Sequence, residues 1–326
     1  MKKSIILCIS FFIILLAGCN QASSTNQDTE KPIIYTTIYP IQYIVDQLAG
    51  ETVETVSIYP PGTDAHSYEP SAKNMTDIAK GDAFIYLGSN LEAFSDTIAN
   101  ALNGENTNLI EVGLHEELFE DLSDSQGHGD DHDESHDHGS HEDDVHDDGH
   151  AHGDHDPHIW LDPIRMITLA SIVKAELNEL LPEQEMKIND NFHALEKELQ
   201  QLDSNFQDVL ADKEQKKILV SHAAYGYWEQ RYGLEQIAVK GVAANNEPSQ
   251  QELVRIMDQA KQYNLNYMIF EQNISEKVAK NIQNEIGASS LFIHNLAVLT
   301  DEDIKNSEDY FSLMEKNIEV IDQATK

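Results

Sequence analysis

The stretch from Gln126 to Pro157, QGHGDDHDESHDHGSHEDDVHDDGHAHGDHDP, has no place in a packed core. It contains no aromatic residue, and Val145 is its one aliphatic side chain larger than alanine. A segment this polar cannot offset its ordering entropy by burying surface, so an exposed loop or a disordered segment is expected, with folded structure on either side. Its nine histidines are His128, His132, His136, His138, His141, His146, His150, His152 and His155, interleaved with twelve Asp or Glu. Neutral imidazoles and ionised carboxylates are ligands for divalent transition metals. A solvated acidic loop needs no histidine, so metal capture is the better explanation. The stretch does not say whether the metal is transported, stored, sensed or used.

The N-terminus predicts a destination. Lys2 and Lys3 precede an apolar run, Ile5 to Leu16, too short to span a membrane. It ends in Leu16-Ala17-Gly18-Cys19, which resembles the lipobox of bacterial lipoproteins. That resemblance implies a signal peptide over residues 1–18, lipidation at Cys19 and a polar tether over 19–31. Two acyl chains suffice for stable attachment. The mature chain is then expected outside the cytoplasm, anchored to the outer face of the cell membrane of a Gram-positive organism. Cys8 and Cys19 are the only cysteines. The mature fold therefore has neither a disulfide nor a thiolate for zinc, and any metal must be held by His, Asp or Glu. Against 58 acidic residues the chain has 21 Lys or Arg, a net charge of −37. Such a field repels nucleic acid and concentrates cations.

Short β-rich runs alternate with amphipathic patterns. Strands are predicted at Ile33–Tyr39, Glu54–Tyr59, Ala83–Leu87 and Asn108–Val112, and again at Ile218–Ser221, Gln236–Val239, Tyr267–Phe270 and Leu291–His294. Helices are predicted near Ile41–Leu48, Ala72–Ala79, Leu91–Leu102, Ile164–Leu181, Tyr225–Tyr232, Gln250–Tyr263, Glu276–Ile286 and Tyr310–Gln323. This alternation argues for an α/β fold of two lobes with mainly parallel sheets. The boundaries are an N-terminal lobe over 32–181, including the His/acid-rich loop over 115–156, and a C-terminal lobe over 213–326. Between them Phe192, Leu195, Leu199, Leu202, Phe206 and Val209 recur at spacings of three and four. One long helix over 182–212 is expected to connect the lobes, with a coiled-coil dimer seam as the alternative.

Ligands in α/β lobes gather at the carboxyl ends of strands. Four residues with metal-ligand chemistry stand just after predicted strands: His66 in IYPPGTDAHSYEP, His158 in DPHIWLDP, His222 in ILVSHAAYGY and Glu271 in NYMIFEQN. Each alone is weak evidence; two per lobe at equivalent ends is harder to produce by accident. Asp156 and Asp162 flank His158 and suit either orienting its ring or capping a helix or turn. Glu247 suits a helix start, and His115, His193 and His294 suit surface or packing positions.

The chain resembles the substrate-binding lipoproteins of zinc-uptake ABC transporters, the ZnuA/AdcA type within the wider zinc/manganese-binding family. The resemblance covers nearly all of the mature chain and rests on TTIYPIQYIVDQLAG, PPGTDAHSYEPSAKN, DPHIWLDP, VSHAAYGYWEQRYGL and NNEPSQQEL. It implies two α/β lobes joined by a rigid long helix, with Zn2+ in the cleft on His66, His158, His222 and Glu271. It also implies that the acidic histidine loop is an accessory metal binder. Some zinc members use water in place of the carboxylate, and manganese-binding relatives have a carboxylate where His222 stands. Three imidazoles with one carboxylate suit tetrahedral zinc at ~2.0–2.1 Å, whereas manganese prefers more oxygen. The implied function is zinc capture and delivery to an ABC permease by a lipid-anchored monomer that is not an enzyme and has no catalytic residues. The alternatives are an extracellular zinc hydrolase or hydratase, or a manganese-binding or adhesin-type surface lipoprotein. Against hydrolysis, the string His115-Glu116-Glu117-Leu118-Phe119 has Phe where a metalloprotease motif needs its second His.

Overall fold

The structure is a computed structural model that describes residues 31–88, 91–120, 155–242, 248–273 and 277–326, without the side chain of Asp96. The expected signal peptide, Cys19 and the loop histidines His128 to His152 lie outside the described residues. Pro32–Lys326 forms one compact unit.

It holds two four-stranded sheets, all parallel. The first is built from β1 (Ile33–Thr36), β2 (Glu54–Ser57), β3 (Ala83–Tyr86) and β4 (Asn108–Glu111), ordered β2-β1-β3-β4. The second uses β5 (Lys217–His222), β6 (Glu235–Lys240), β7 (Tyr267–Glu271) and β8 (Ser289–Ile293), ordered β6-β5-β7-β8. Each strand order reverses once, between β1 and β3 and between β5 and β7. A crevice opens at the carboxyl ends of the strands where such an order reverses.

The helices follow from local chemistry. Strand β1 stops three residues before the expected Tyr39, because Pro40 stands in the first turn of α1 (Tyr39–Ala49), where its missing N–H costs nothing. Helix α2 (Ala72–Ile78) is entered through a capping box in which Ser71 and Asn74 exchange side-chain and backbone hydrogen bonds. Helix α3 (Ser95–Leu102) begins later than Leu91. Helix α4 (Pro163–Leu180) has Asp162 as its N-cap, accepting from the backbone N–H groups of Ile164 and Arg165.

The expected connector is α5 (Glu185–Ala211), 27 residues long and about 40 Å end to end. Pro182–Gln184 forms a separate 3-10 turn ahead of it. Its stripe of Ile188, Phe192, Leu195, Leu199, Leu202, Phe206 and Leu210 is buried inside the chain, so it is not a seam for a second copy. Toward the first lobe it packs on α1 and α4. Toward the second, Phe206 stacks on Tyr232 with ring centroids 4.9 Å apart and meets Trp228 at 5.0 Å. Both of those rings lie on α6 (Gly226–Tyr232).

The remaining helices are α7 (Gln250–Gln262), α8 (Lys277–Ile286), α9 (Asp301–Asn306) and α10 (Tyr310–Ala324). The sequence pattern did not reveal α9; it has only six residues and depends on a Thr300–Asp303 capping box. Helix α7 likewise starts on a Ser249–Glu252 box, while Glu247 lies outside the described residues. Helix α10 crosses back to the first lobe, where Tyr310 stacks on Tyr43 at 5.7 Å.

One hydrophobic cluster runs through both lobes and α5, with a smaller one on the far side of the second sheet under α7 and α8. The lobes therefore share a core, and unfolding in denaturant should be a single transition. Trp228 is fully buried and its indole N–H donates to the Leu161 carbonyl at 2.6 Å. Trp228→Ala should cost ~3–5 kcal/mol in that transition. Two resolved transitions in the unaltered protein would show that the lobes fold independently.

Candidate metal centre

The second lobe places its residues by strand termination. His222 is the last residue of β5 and Glu271 the last of β7, the two strands at which the sheet order reverses. Both side chains are essentially inaccessible, at 0% and 1%. His66 comes from the long loop after β2, shaped by Asp64, whose carboxylate accepts from the His66 N–H at 3.0 Å and the Ser67 hydroxyl at 3.1 Å. His158 is not at a strand end, as the sequence had suggested. It caps a 3-10 turn, Ile159–Leu161, whose three apolar residues are buried and hold it against the second lobe.

The three imidazoles converge. Ring centroids of His66 and His158 are 5.3 Å apart, and each lies 5.0 Å from that of His222. The Nε2 atoms of His66 and His158 are 3.3 Å apart. Two nitrogens bound to one tetrahedral zinc at ~2.0–2.1 Å would lie ~3.3 Å apart, so this edge already has the required length. One ligand atom from each of the three histidines lies within 4.8 Å of the others. Glu271 falls outside that group. Its two oxygens each lie 3.3 Å from His222 Nδ1. A carboxylate buried this deeply needs donors. It accepts from Tyr225 Oη at 3.0 Å through Oε1 and from Asn295 Nδ2 at 3.1 Å through Oε2.

The two acids that flank His158 are placed differently. Asp156 accepts from both the backbone N–H of His158 and its Nδ1, the latter at 2.6 Å, which leaves Nε2 facing His66. Asp162 does not touch a histidine; it caps α4 and takes Arg231 Nε on both oxygens at 2.7 Å. Of the two roles open to these acids, orienting belongs to Asp156 and capping to Asp162. His222 Nε2 points at the Val242 carbonyl, 2.9 Å away. Gly226 went unnoticed in the sequence. A Cβ there would come within 2.7 Å of Asp156 Oδ2, so only glycine admits the carboxylate at this place.

The other histidines lie elsewhere. His155 Nε2 pairs with Glu116 at 3.3 Å and its ring stacks on Phe119 at 4.8 Å, so this loop residue belongs to a different environment from the centre. His115 pairs with Glu117, His193 with Glu196 and His294 with Asp303.

Burial, reinforced by the facing His158 and His222 rings, pushes the His66 pKa down to about 3. At His222 burial alone opposes charge, but the Glu271 carboxylate and the Val242 carbonyl outweigh it and the pKa is raised. Burial also opposes charge on Glu271, and there His222, His158 and Asn295 outweigh it, lowering its pKa. Without metal, His222 and Glu271 thus favour the imidazolium–carboxylate form.

The chain matches the family model ZnuA, "Zinc-uptake complex component A periplasmic", over residues 34–324. It belongs to that family. The zinc-binding lipoprotein AdcA of Streptococcus pneumoniae is 32% identical over 325 residues, the whole of this chain. This chain spans 61% of the length of that relative. The high-affinity zinc uptake system protein ZnuA of Bacillus subtilis is 26% identical over 98% of this chain and 97% of its own. Among solved structures, the Zn(II)-bound ZnuA-like domain of S. pneumoniae AdcA is 30% identical, with a TM-score of 0.69 over 90% of this chain and 99% of that one. That match agrees with the α/β fold of two parallel sheets seen here.

Two expectations follow from this geometry. Asp156→Ala should weaken divalent-metal binding by about 10–100-fold, the usual effect of removing a ligand's hydrogen-bond partner, and Gly226→Ala should weaken it in the same direction. Chelator-competition titrations decide this, and unchanged affinity in both would remove Asp156 from its orienting role. Metal binds the neutral imidazole, so a raised His222 pKa shifts the acid limit of binding upward. As pH falls, affinity should begin to drop above the ordinary imidazole value of 6.5, with His222 the group that takes up the proton. His66, near 3, should contribute nothing to that limb. Affinity that stays flat from about pH 8 to pH 5 would contradict it.

Proposed function

We propose that this chain is the extracytoplasmic zinc-binding component of an ABC uptake system, capturing Zn2+ between its lobes and delivering it to a membrane permease. The observation that carries this reading is the set of three converging imidazoles with a 3.3 Å nitrogen–nitrogen edge. An imidazole-rich set suits zinc and gives manganese too little oxygen. The family consists of metal-binding transport proteins rather than enzymes, which leaves the hydrolase alternative without support.

His66, His158 and His222 are proposed as ligands, with Glu271 as the fourth. Glu271 joins by moving one oxygen from the His222 Nδ1 proton to the ion that replaces it. His66 is the one ligand of partial exposure, while His158, His222 and Glu271 are buried, so zinc enters and leaves on the His66 side. The His66 loop is tied to the second lobe by the Gly62 N–H, which donates to the Leu299 carbonyl at 2.9 Å. Release on the permease then requires a local movement of that loop rather than a wide hinge, because α5 and the shared core oppose separation of the lobes. The lipid on Cys19 keeps the protein beside its permease. Among the described residues no helix is long and apolar enough to cross a membrane. The acidic histidine segment raises the local supply of zinc through charge and ligand density.

Structural zinc binding of ~10–16 kcal/mol over four ligands is ~2.5–4 kcal/mol each, so losing one ligand should cost ~60-fold or more in affinity. His66→Ala, His158→Ala and His222→Ala should each lose that much while keeping the fold by circular dichroism. Tight zinc binding retained in all three, with the acidic segment removed, would defeat the proposal. Deleting residues 127–154 should lower the number of zinc ions bound while leaving the tightest one in place. Loss of that tight ion would make the segment part of the primary site.

A further inference from the structure

The carboxylate of Glu271 does not stand alone at the end of β7. Tyr225, buried at the N-cap of α6, donates its hydroxyl to Oε1 at 3.0 Å. Asn295, two residues beyond the end of β8, donates its amide to Oε2 at 3.1 Å. Asn295 is itself fully engaged. Its Oδ1 accepts from Gln272 Nε2 at 3.0 Å and from the Ala297 N–H at 3.1 Å. Its backbone N–H donates to Gln272 Oε1 at 3.0 Å. Its backbone carbonyl accepts the Trp160 indole N–H from the first lobe at 2.7 Å. Trp160 lies two residues after His158 and its ring is 5.4 Å from the His158 ring. The hydroxyl of Tyr225 and the amide of Asn295 therefore address the two oxygens separately. Between them they fix the rotation of the carboxylate plane and its distance from His222.

We propose that Tyr225 and Asn295 are positioning residues for Glu271, and that Asn295 ties the carboxylate to the turn carrying His158 in the opposite lobe. This rests on the reading of Glu271 as the fourth ligand. A free carboxylate on a two-carbon stem would have to be ordered when the metal arrives. Here that ordering is complete beforehand, and the two donors can follow one oxygen through a short displacement because each holds a different atom. Through Asn295, the second lobe's carboxylate and the first lobe's imidazole are set by one rigid joint. A change in the docking of the lobes would then move both ligands together.

A double-mutant cycle tests this with Zn2+ titrations under chelator competition on the full chain. Tyr225→Phe keeps the ring and removes only the donor; Asn295→Ala removes the other donor. Each should weaken zinc binding by about 10–100-fold, the range for lost hydrogen-bond partners of metal ligands. In a Glu271→Ala background the same two substitutions should have almost no further effect, because the group they position is gone. Equal losses with and without Glu271 would show that Tyr225 and Asn295 act only on the fold and would overturn the inference, as would no loss from Tyr225→Phe. Tyr225→Phe decides the matter even if Asn295→Ala fails to fold. The underlying reading fails differently: Glu271→Ala alone would then leave zinc affinity unchanged.

Discussion

The hydrogen bond from the Trp160 indole to the Asn295 carbonyl, 2.7 Å long and fully buried, is the contact on which the geometry of the centre most depends. A metal site divided between two lobes is only as well defined as their relative position. Trp160 fixes that position at the turn that carries His158, and Tyr310 from α10 closes the same turn by donating to the Trp160 carbonyl at 2.7 Å. Around it lie further polar contacts between lobes: Trp228 to the Leu161 carbonyl, Tyr227 Oη to the Asp156 carbonyl at 2.6 Å, and Arg231 to Asp162. Each satisfies a group that would otherwise be buried without a partner, so removing one partner costs more than the net worth of the contact. The lobes are thereby kept in register without a disulfide.

Charge is distributed in two ways. The chain as a whole is strongly acidic, and its field draws cations without selecting among them. Selection falls to a small buried region where charge is tightly compensated. Arg165 is enclosed under the site, with its guanidinium 4.2 Å from the Tyr227 ring centre and hydrogen bonds to the Leu118 carbonyl and Gln230. Asp162 answers Arg231, and Glu271 answers His222. A divalent ion binding at His222 would have to displace the proton held between that imidazole and Glu271, which would tie capture to pH.

Much of the architecture was legible from residue patterns. Short β-rich runs marked all eight strands, and the stripe of α5 ran at helical spacing from Phe192 to Phe206. His66 and His222 could be placed because their strands were recognisable. His158 was found for an incomplete reason: its position is set by a 3-10 turn whose hydrophobic residues face the other lobe, which no local periodicity reveals. The roles of Asp156 and Asp162 could not be separated from sequence, since both precede helical segments and only the approach of Gly226 and Arg231 from the second lobe distinguishes them. Tyr225, Asn295 and Trp160 were invisible for the same reason. They belong to separate segments, 24 to 135 positions from the partners they serve, and look like ordinary core residues until the chain is folded.

The decisive measurement is the zinc-edge X-ray absorption spectrum of the protein, with residues 127–154 removed and one equivalent of Zn2+ added. A centre built from His66, His158 and His222 requires a four-coordinate shell at ~2.0–2.1 Å with the outer-shell scattering of three imidazoles and one oxygen ligand. That scattering should fall to two imidazoles in His66→Ala. A shell dominated by oxygen, or one whose imidazole content is the same in the variant, would contradict it.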